Sequence, residues 1–251
     1  MNASTDQQQN TIGWFRARLG NITGSAVGAI MSKPRSKDAM WSATAESYLQ
    51  QIAYERAMNP MVIEDDQMFG RYLELTQVKS KVLDWGHAQE NNAAKLFAEI
   101  FQPTYEPDAE PFTLTLDEPP SVRCENLPHF ASSPDRMFVN PVTGEECCVE
   151  IKSPLGKAFT KYAVCIMKPT QDERLEALKK AEADYYWQIF AHMLATGTST
   201  CYWVIYNPFA ITPLFSMCVN VEDSVLDAMR ERIIEADKYV EELATKLKNG
   251  Q

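Results

Sequence analysis

Apolar positions change period along the chain. From Trp14 to Met31 the spacing predicts a short helix, a turn at Leu19-Gly20-Asn21, and a second helix entered through Ile22-Thr23-Gly24-Ser25. Thr23 or Ser25 is expected to cap that second helix, leaving free backbone N–H groups at its start. Residues 44–57 read as a helix, 59–70 as a loop, and 78–101 as a longer helix weakened near Gly86. The period then falls to two in PFTLTL (111–116), RMFV (136–139) and CCVEIK (147–152), and Pro-Val-Thr-Gly at 141–144 predicts a hairpin between the last two. A helix over 157–166, a charged loop, and a helix over 179–196 ended by Gly197 come next. Strands TCYWVIYN (200–207) and LFSMCVNV (214–221) follow. Leu226, Met229, Ile233, Val240, Leu243 and Leu247 recur at helical spacing near the C-terminus. Helices followed by a mixed sheet with further helices predict an α/β fold, a single domain with a central mixed β-sheet flanked by helices. It is expected to span 14–251, behind a flexible N-terminal segment, 1–13.

Length and composition narrow the class. A chain of 251 residues can bury one large core, and 45% hydrophobic with 23% charged residues excludes a wholly disordered protein. The formal charge of −10 argues, taken whole, against a nucleic-acid binder. Division of the chain changes that picture. Residues 1–37 carry five bases and one acid, 38–150 seven and twenty, 151–180 seven and three, and 181–251 five and ten. Two basic segments therefore flank an acidic middle, which fits either an uneven solvated surface or a basic lining built from 14–37 and 151–168. Six cysteines show no C-x-x-C pair, and three histidines are too few for a multi-histidine metal site. The polar start MNASTDQQQNT and the lack of a long apolar run predict a cytoplasmic protein with reduced thiols and no membrane span.

Candidate chemistry concentrates in Ser132-Ser133-Pro134-Asp135 and, on the next strand, Glu150-Ile151-Lys152. Alternation puts Glu150 and Lys152 on one face of the strand, with Val149 and Ile151 on the other. A hairpin can bring Asp135 beside them. Two converging carboxylates make an oxygen-rich site suited to Mg²⁺ or Mn²⁺, and the Lys152 ammonium can hold a water or neutralise a phosphate. An ordinary ion pair on a surface strand fits the same short pattern. Glu90 falls on the apolar stripe of Ala93, Ala94, Phe97 and Phe101, where a carboxylate is costly unless paired or bound to a metal. A half-exposed glutamate near a helix start is the plainer alternative. Tyr185, Gln188 and His192 form a polar-aromatic stripe on their helix. Arg16, Arg18, Ser25, Lys33 and Arg35 surround a helix start, as phosphate ligands or as solvated side chains.

Together, W-F-R-A-R-L-G-N-I-T-G-S (14–25), K-P-R-S (33–36), W-G-H-A-Q-E-N (85–91), S-P-D (133–135), E-I-K (150–152) and Y-Y-W-Q (185–188) resemble the phage lambda exonuclease family. These are viral recombination nucleases of the PD-(D/E)XK superfamily, and the resemblance implies a restriction-endonuclease-like core. It implies a Mg²⁺-dependent exonuclease, with Mn²⁺ a possible substitute, that digests one strand of linear duplex DNA from a 5′-phosphorylated end and leaves a 3′ overhang. By resemblance Asp135, Glu150 and the Ile151 carbonyl bind the metal, Lys152 activates or holds the attacking water, and Glu90 and Gln188 complete its shell. Arg18, Ser25 and Ser133 match a 5′-phosphate pocket, and Arg35 matches a DNA-contacting arginine. A ring-shaped homotrimer and a single-strand annealing recombinase partner are implied too. The sequence departs from the family where 161–184 is longer. His192, standing where related nucleases often carry a tyrosine, is not carried over. Gly24 stands where a small residue is expected and reads as benign. An endonuclease of the same superfamily and a non-catalytic DNA-end-binding protein are the alternatives.

Overall fold

The computed structural model describes residues 4–5, 11–76, 80–101, 114–119, 121–124 and 126–250. Strand β1 (Ser4–Thr5) precedes helix α1 (Ile12–Arg18), whose N-terminus is capped by the Thr11 hydroxyl accepting from Trp14 N. The chain turns through Gly20, at φ +71°, into β2 (Ile22–Thr23), a 3-10 turn (Gly24–Ala26) and α2 (Val27–Met31). Neither Thr23 nor Ser25 caps a helix, contrary to expectation; Thr23 N instead donates to the Tyr48 hydroxyl at 3.0 Å. Helix α3 (Ala43–Arg56) follows, capped by Ser42.

The expected loop at 59–70 is helical. Asn59 caps α4 (Pro60–Glu64), and α5 (Asp66–Thr76) begins two residues after α4 ends. Asn-Pro, which reads as a turn, here serves as cap and first helical residue, a place where the missing N–H of proline costs nothing. Helix α6 (Lys81–Ile100) runs unbroken through Gly86. Of the expected strand 111–116, residues 111–113 lie outside the described residues. Residues 114–116 form no strand, and only Asp117 bridges to Met137.

Strands β3 (Ser121–Cys124) and β4 (Leu127–Ser132) join β1 and β2 in a sheet ordered β1-β3-β4-β2, which the periodicity did not reveal. The central mixed sheet contains β5 (Arg136–Val139), β6 (Glu146–Lys152), β7 (Thr200–Tyr206) and β8 (Leu214–Asn220), in that order. β5 pairs antiparallel with β6 as the hairpin predicts. β6 and β7 run parallel, so a helical crossover must join them. That crossover is α7 (Lys157–Ile166), α8 (Gln171–Ala181) and α9 (Ala183–Thr196), with α10 (Asp223–Asn249) closing the chain. The expected charged loop is therefore α8. Thr170 and Glu173 form a reciprocal capping box at its start, and the extended backbone of Glu182 separates it from α9.

Two apolar clusters meet at the central sheet. In the larger, α9 lies between the two sheets, with Ile189 and Phe190 packed among Ile22, Phe130 and Trp203. This placement buries almost every side of α9, polar residues included. In the smaller, α6 covers the opposite face of the sheet, packing Ala93, Ala94 and Phe97 on Phe138, Val149, Ile151 and Val204. Among the described residues no helix is long and apolar enough to cross a membrane.

Candidate active site

β6 ends between α6 and α9, and its alternation decides what each helix meets. Cys147, Val149 and Ile151 belong to the cluster under α6, whereas Cys148 packs in the α9 cluster and Glu150 follows it on that side. The segment Ser133-Pro134-Asp135 links β4 to β5. Asp135 N donates to Val149 O at 3.0 Å, and Asp135 Oδ2 accepts from Ile151 N at 2.6 Å. The hairpin thus carries Asp135 to the end of β6, as alternation and turn length require.

Glu150 is 1% exposed. Its Oε2 lies 2.7 Å from His192 Nε2, and its Oε1 pairs with the Lys152 ammonium. Burial pushes the Glu150 carboxyl up, but Lys152 and His192 together outweigh it and hold it down at about 2. Burial and the neighbouring Glu150 push the Asp135 carboxyl well above its ordinary range. Burial also opposes charge on Lys152, yet Glu150 and Asp135 hold its ammonium well above the usual lysine range. The ammonium sits 5.0 Å from the Tyr185 ring centroid.

From α6, Glu90 reaches the same cleft, its carboxyl raised by burial and by Glu150. Arg136, nearly buried, clamps α6 to the Asp135 segment by donating to Asn91 Oδ1 and Asp135 O, both at 2.5 Å. From α9, Gln188 and Tyr185 line the cleft. From α1, Arg18 donates to Ser133 Oγ at 3.1 Å and stacks 4.2 Å over Trp14, and burial lowers its guanidinium to about 10. Ser25, exposed on the 3-10 turn, lines the cleft beside them.

The cleft, about 450 Å³, collects Arg18, Ser25, Glu90, Ser133, Asp135, Glu150, Ile151, Lys152 and Gln188. Arg35 does not line it; it is exposed in the loop after α2. A larger hollow of about 860 Å³ lies between α1 and α5, away from these residues. The expected basic lining from 14–37 and 151–168 is reduced at the cleft wall to one residue from each segment. Arg18 and Lys152 are its two cationic side chains, against Glu90, Asp135, Glu150 and Asp184. Arg16 pairs with Asp66 and Lys161 with Glu182. Sequence reasoning missed Arg136, whose neighbour Asp135 was the nearest signal, and it set His192 aside although the helical stripe included it. Among the described residues no three His, Cys, Asp or Glu side chains gather to hold a metal.

The fold is that of restriction-endonuclease-like phage-type exonucleases. The alkaline exonuclease LHK-Exo from Laribacter hongkongensis is similar at 19% identity and TM-score 0.68, over 96% of this chain and 97% of that one. Its complex with dAMP superposes at TM-score 0.67, with the same identity and coverage. A phage-related exonuclease from Haemophilus somnus 129PT matches at 16% identity and TM-score 0.57, over 90% of this chain and 96% of that one. The profile of the YqaJ-like viral recombinase domain matches residues 13–199, and the chain belongs to that family. No curated protein matches the sequence.

Proposed function

We propose that this protein is a Mg²⁺-dependent exonuclease that digests linear duplex DNA from a 5′-phosphorylated end, leaving a 3′ overhang for recombination. The observation that carries this reading is one cleft joining a carboxylate–lysine cluster to an arginine–serine pair across a few residues of chain. The similarity to exonucleases, one of them solved with dAMP, supports it. A nucleoside monophosphate is what hydrolysis at a strand end releases.

The donor set fits a divalent cation. Four carboxylates outnumber two cationic side chains, so the cleft repels a polyanion unless a cation is added. The Glu150 and Asp135 carboxylates converge there, and Asp135 is pushed up by burial and then by Glu150, whose charge a cation would neutralise. Asp135, Glu150 and the Ile151 carbonyl would hold Mg²⁺, or Mn²⁺ in its place. When bound, the ion supplies Lewis-acid neutralisation of the phosphate oxygens.

The side chains divide the remaining work. Lys152, held cationic, orients the attacking water and offsets charge gathering on the phosphate; its raised basicity prevents it from acting as the proton acceptor. Glu90, whose carboxyl is raised, takes the water's proton, and Gln188 orients that water. The water oxygen bonds to phosphorus, the P–O3′ bond breaks, and the 3′ oxygen takes a proton from a solvent water, to which Glu90 returns the proton it accepted. Arg18, Ser25 and Ser133 grip the terminal 5′-phosphate, while Arg35 contacts the duplex outside the cleft. A ring-shaped trimer and an annealing recombinase partner belong to the same proposal, tested by sedimentation and co-purification.

The direct experiment compares linear and covalently closed circular duplex, with and without Mg²⁺. Digestion of the linear form alone, only with Mg²⁺, and lost in Asp135→Ala, is the expected result. Cleavage of circles would favour an endonuclease. End binding without nucleotide release would favour a non-catalytic protein.

A further inference from the structure

His192 answers a question that the proposed metal site leaves open: what aims Glu150. A glutamate's last torsion is broad, so an unrestrained carboxylate samples many orientations. A buried imidazole, for its part, needs partners for both nitrogens. At 1% exposure on α9, His192 finds them in Glu150 Oε2 at 2.7 Å from Nε2 and Ser132 Oγ at 2.8 Å from Nδ1. A carboxylate only accepts, so Nε2 carries the hydrogen. Nδ1 shares a hydrogen bond with the Ser132 hydroxyl, so a chain of hydrogen bonds joins Ser132, His192 and Glu150. With Oε2 held by His192, the carboxylate turns its other oxygen, Oε1, toward Lys152 in the cleft.

That chain of hydrogen bonds also explains Gly24. A Cβ there would lie 2.0 Å from Ser132 Oγ and 3.3 Å from Ala191 Cβ. Turning the Ser132 hydroxyl away from His192 would relieve that contact, but Ser132 Cβ, 2.9 Å from the same point, yields only if the backbone shifts. Gly24 is therefore not interchangeable with another small residue, contrary to the reading of the sequence as benign at that position. Ser132 directly precedes Ser133, the acceptor of Arg18, so one run of hydrogen bonds ties the arginine side of the cleft to its carboxylate side.

We propose that His192, oriented by Ser132 and given room by Gly24, is a positioning residue that fixes the Glu150 carboxylate to receive a divalent cation. This rests on the metal-dependent reading above. The resemblance carried over no role for His192, and the geometry supplies one.

The test titrates Mn²⁺ into the full chain, following the free-ion paramagnetic signal, beside thermal unfolding and the Mg²⁺ dependence of digestion. Compared with the parent, His192→Leu should bind Mn²⁺ about 10–100-fold more weakly, and its half-saturating Mg²⁺ should rise by a similar factor. His192→Gln, which keeps an N–H donor, should regain part of that loss, and Gly24→Ala should weaken binding by a smaller factor. If His192→Leu does not fold, His192→Gln and Gly24→Ala carry the comparison. Parent-like Mn²⁺ affinity in the folded variants, whatever their Tm, would overturn the positioning role and leave the nuclease reading standing. A parent that binds no Mn²⁺ and needs no metal to digest DNA would instead overturn the metal-dependent reading, and this inference with it.

Discussion

The two faces of β6 make a controlled comparison within one strand. Residues 147, 149 and 151 face α6 and are apolar; residues 148, 150 and 152 face α9, and two of them are charged. Backbone, burial and neighbours along the strand are shared, so the difference lies in side-chain chemistry. The α6 face buries Val149 and Ile151 against Phe97 and Phe138 and stabilises the fold by removing apolar area from water. The α9 face buries two opposite charges, Glu150 and Lys152, and their pairing with each other and with His192 offsets the cost of removing them from water. The candidate chemistry thus sits on the face that buries charge, and the opposite face buries only apolar area.

The first way to break the comparison is Asp135→Asn. Activity should fall by about 10⁴-fold, as for removal of an essential catalytic group, and chelation of the metal in the parent should do the same. Stability should move the other way. Because the fold raises the Asp135 carboxyl, ionising it opposes folding; the neutral amide removes that penalty and can still accept from Ile151 N. In metal-free solution the variant should melt a few degrees above the parent near neutral pH. The gap should close as pH falls below the raised folded value toward the ordinary 3.8, where both forms are uncharged.

Phe97→Ala sharpens the opposite face. Truncating this buried ring should cost about 3–5 kcal/mol, read by denaturant unfolding, while the protein that remains folded digests DNA at the parental rate. A matched loss of specific activity would mean that the two faces are not separable.

Helix α1 repeats the contrast two residues apart. Arg18 faces the cleft, and Arg16 faces α5, where it bonds Ile63 O and Asp66. Arg18→Ala should lose about 10–100-fold of the preference for 5′-phosphorylated over 5′-hydroxyl ends, the worth of one charge-assisted hydrogen bond. Arg16→Ala should cost only about 1 kcal/mol or less in stability and leave that preference intact. Equal effects in competition digests would remove the distinction between the two arginines.

Much of this was legible without coordinates. The period-two runs at 136–139, 147–152, 200–207 and 214–221 locate the central sheet because half-buried strands must alternate, and the hairpin turn sets which acid meets Glu150. Helices α4 and α5 escaped because Asn59-Pro60 and Asp65-Asp66 fit a turn as well as a cap, and local residues cannot choose between them. Strands β3 and β4 escaped because their pairing with β1 and β2 joins segments far apart in the chain.

Sequence by itself singled out the candidate site residues and determined which face of β6 holds Glu150 and Lys152, since alternation along a strand is a local property. It also separated the chain into basic and acidic segments. Only the tertiary structure decided how those charges meet. It sends Arg16 to α5 and Arg18 to the cleft, and it leaves the cleft richer in acids than in bases. Lodged between two sheets, α9 makes His192 a fully buried partner of Glu150. Burial and pairing are set by elements distant in sequence, and no window of residues contains them.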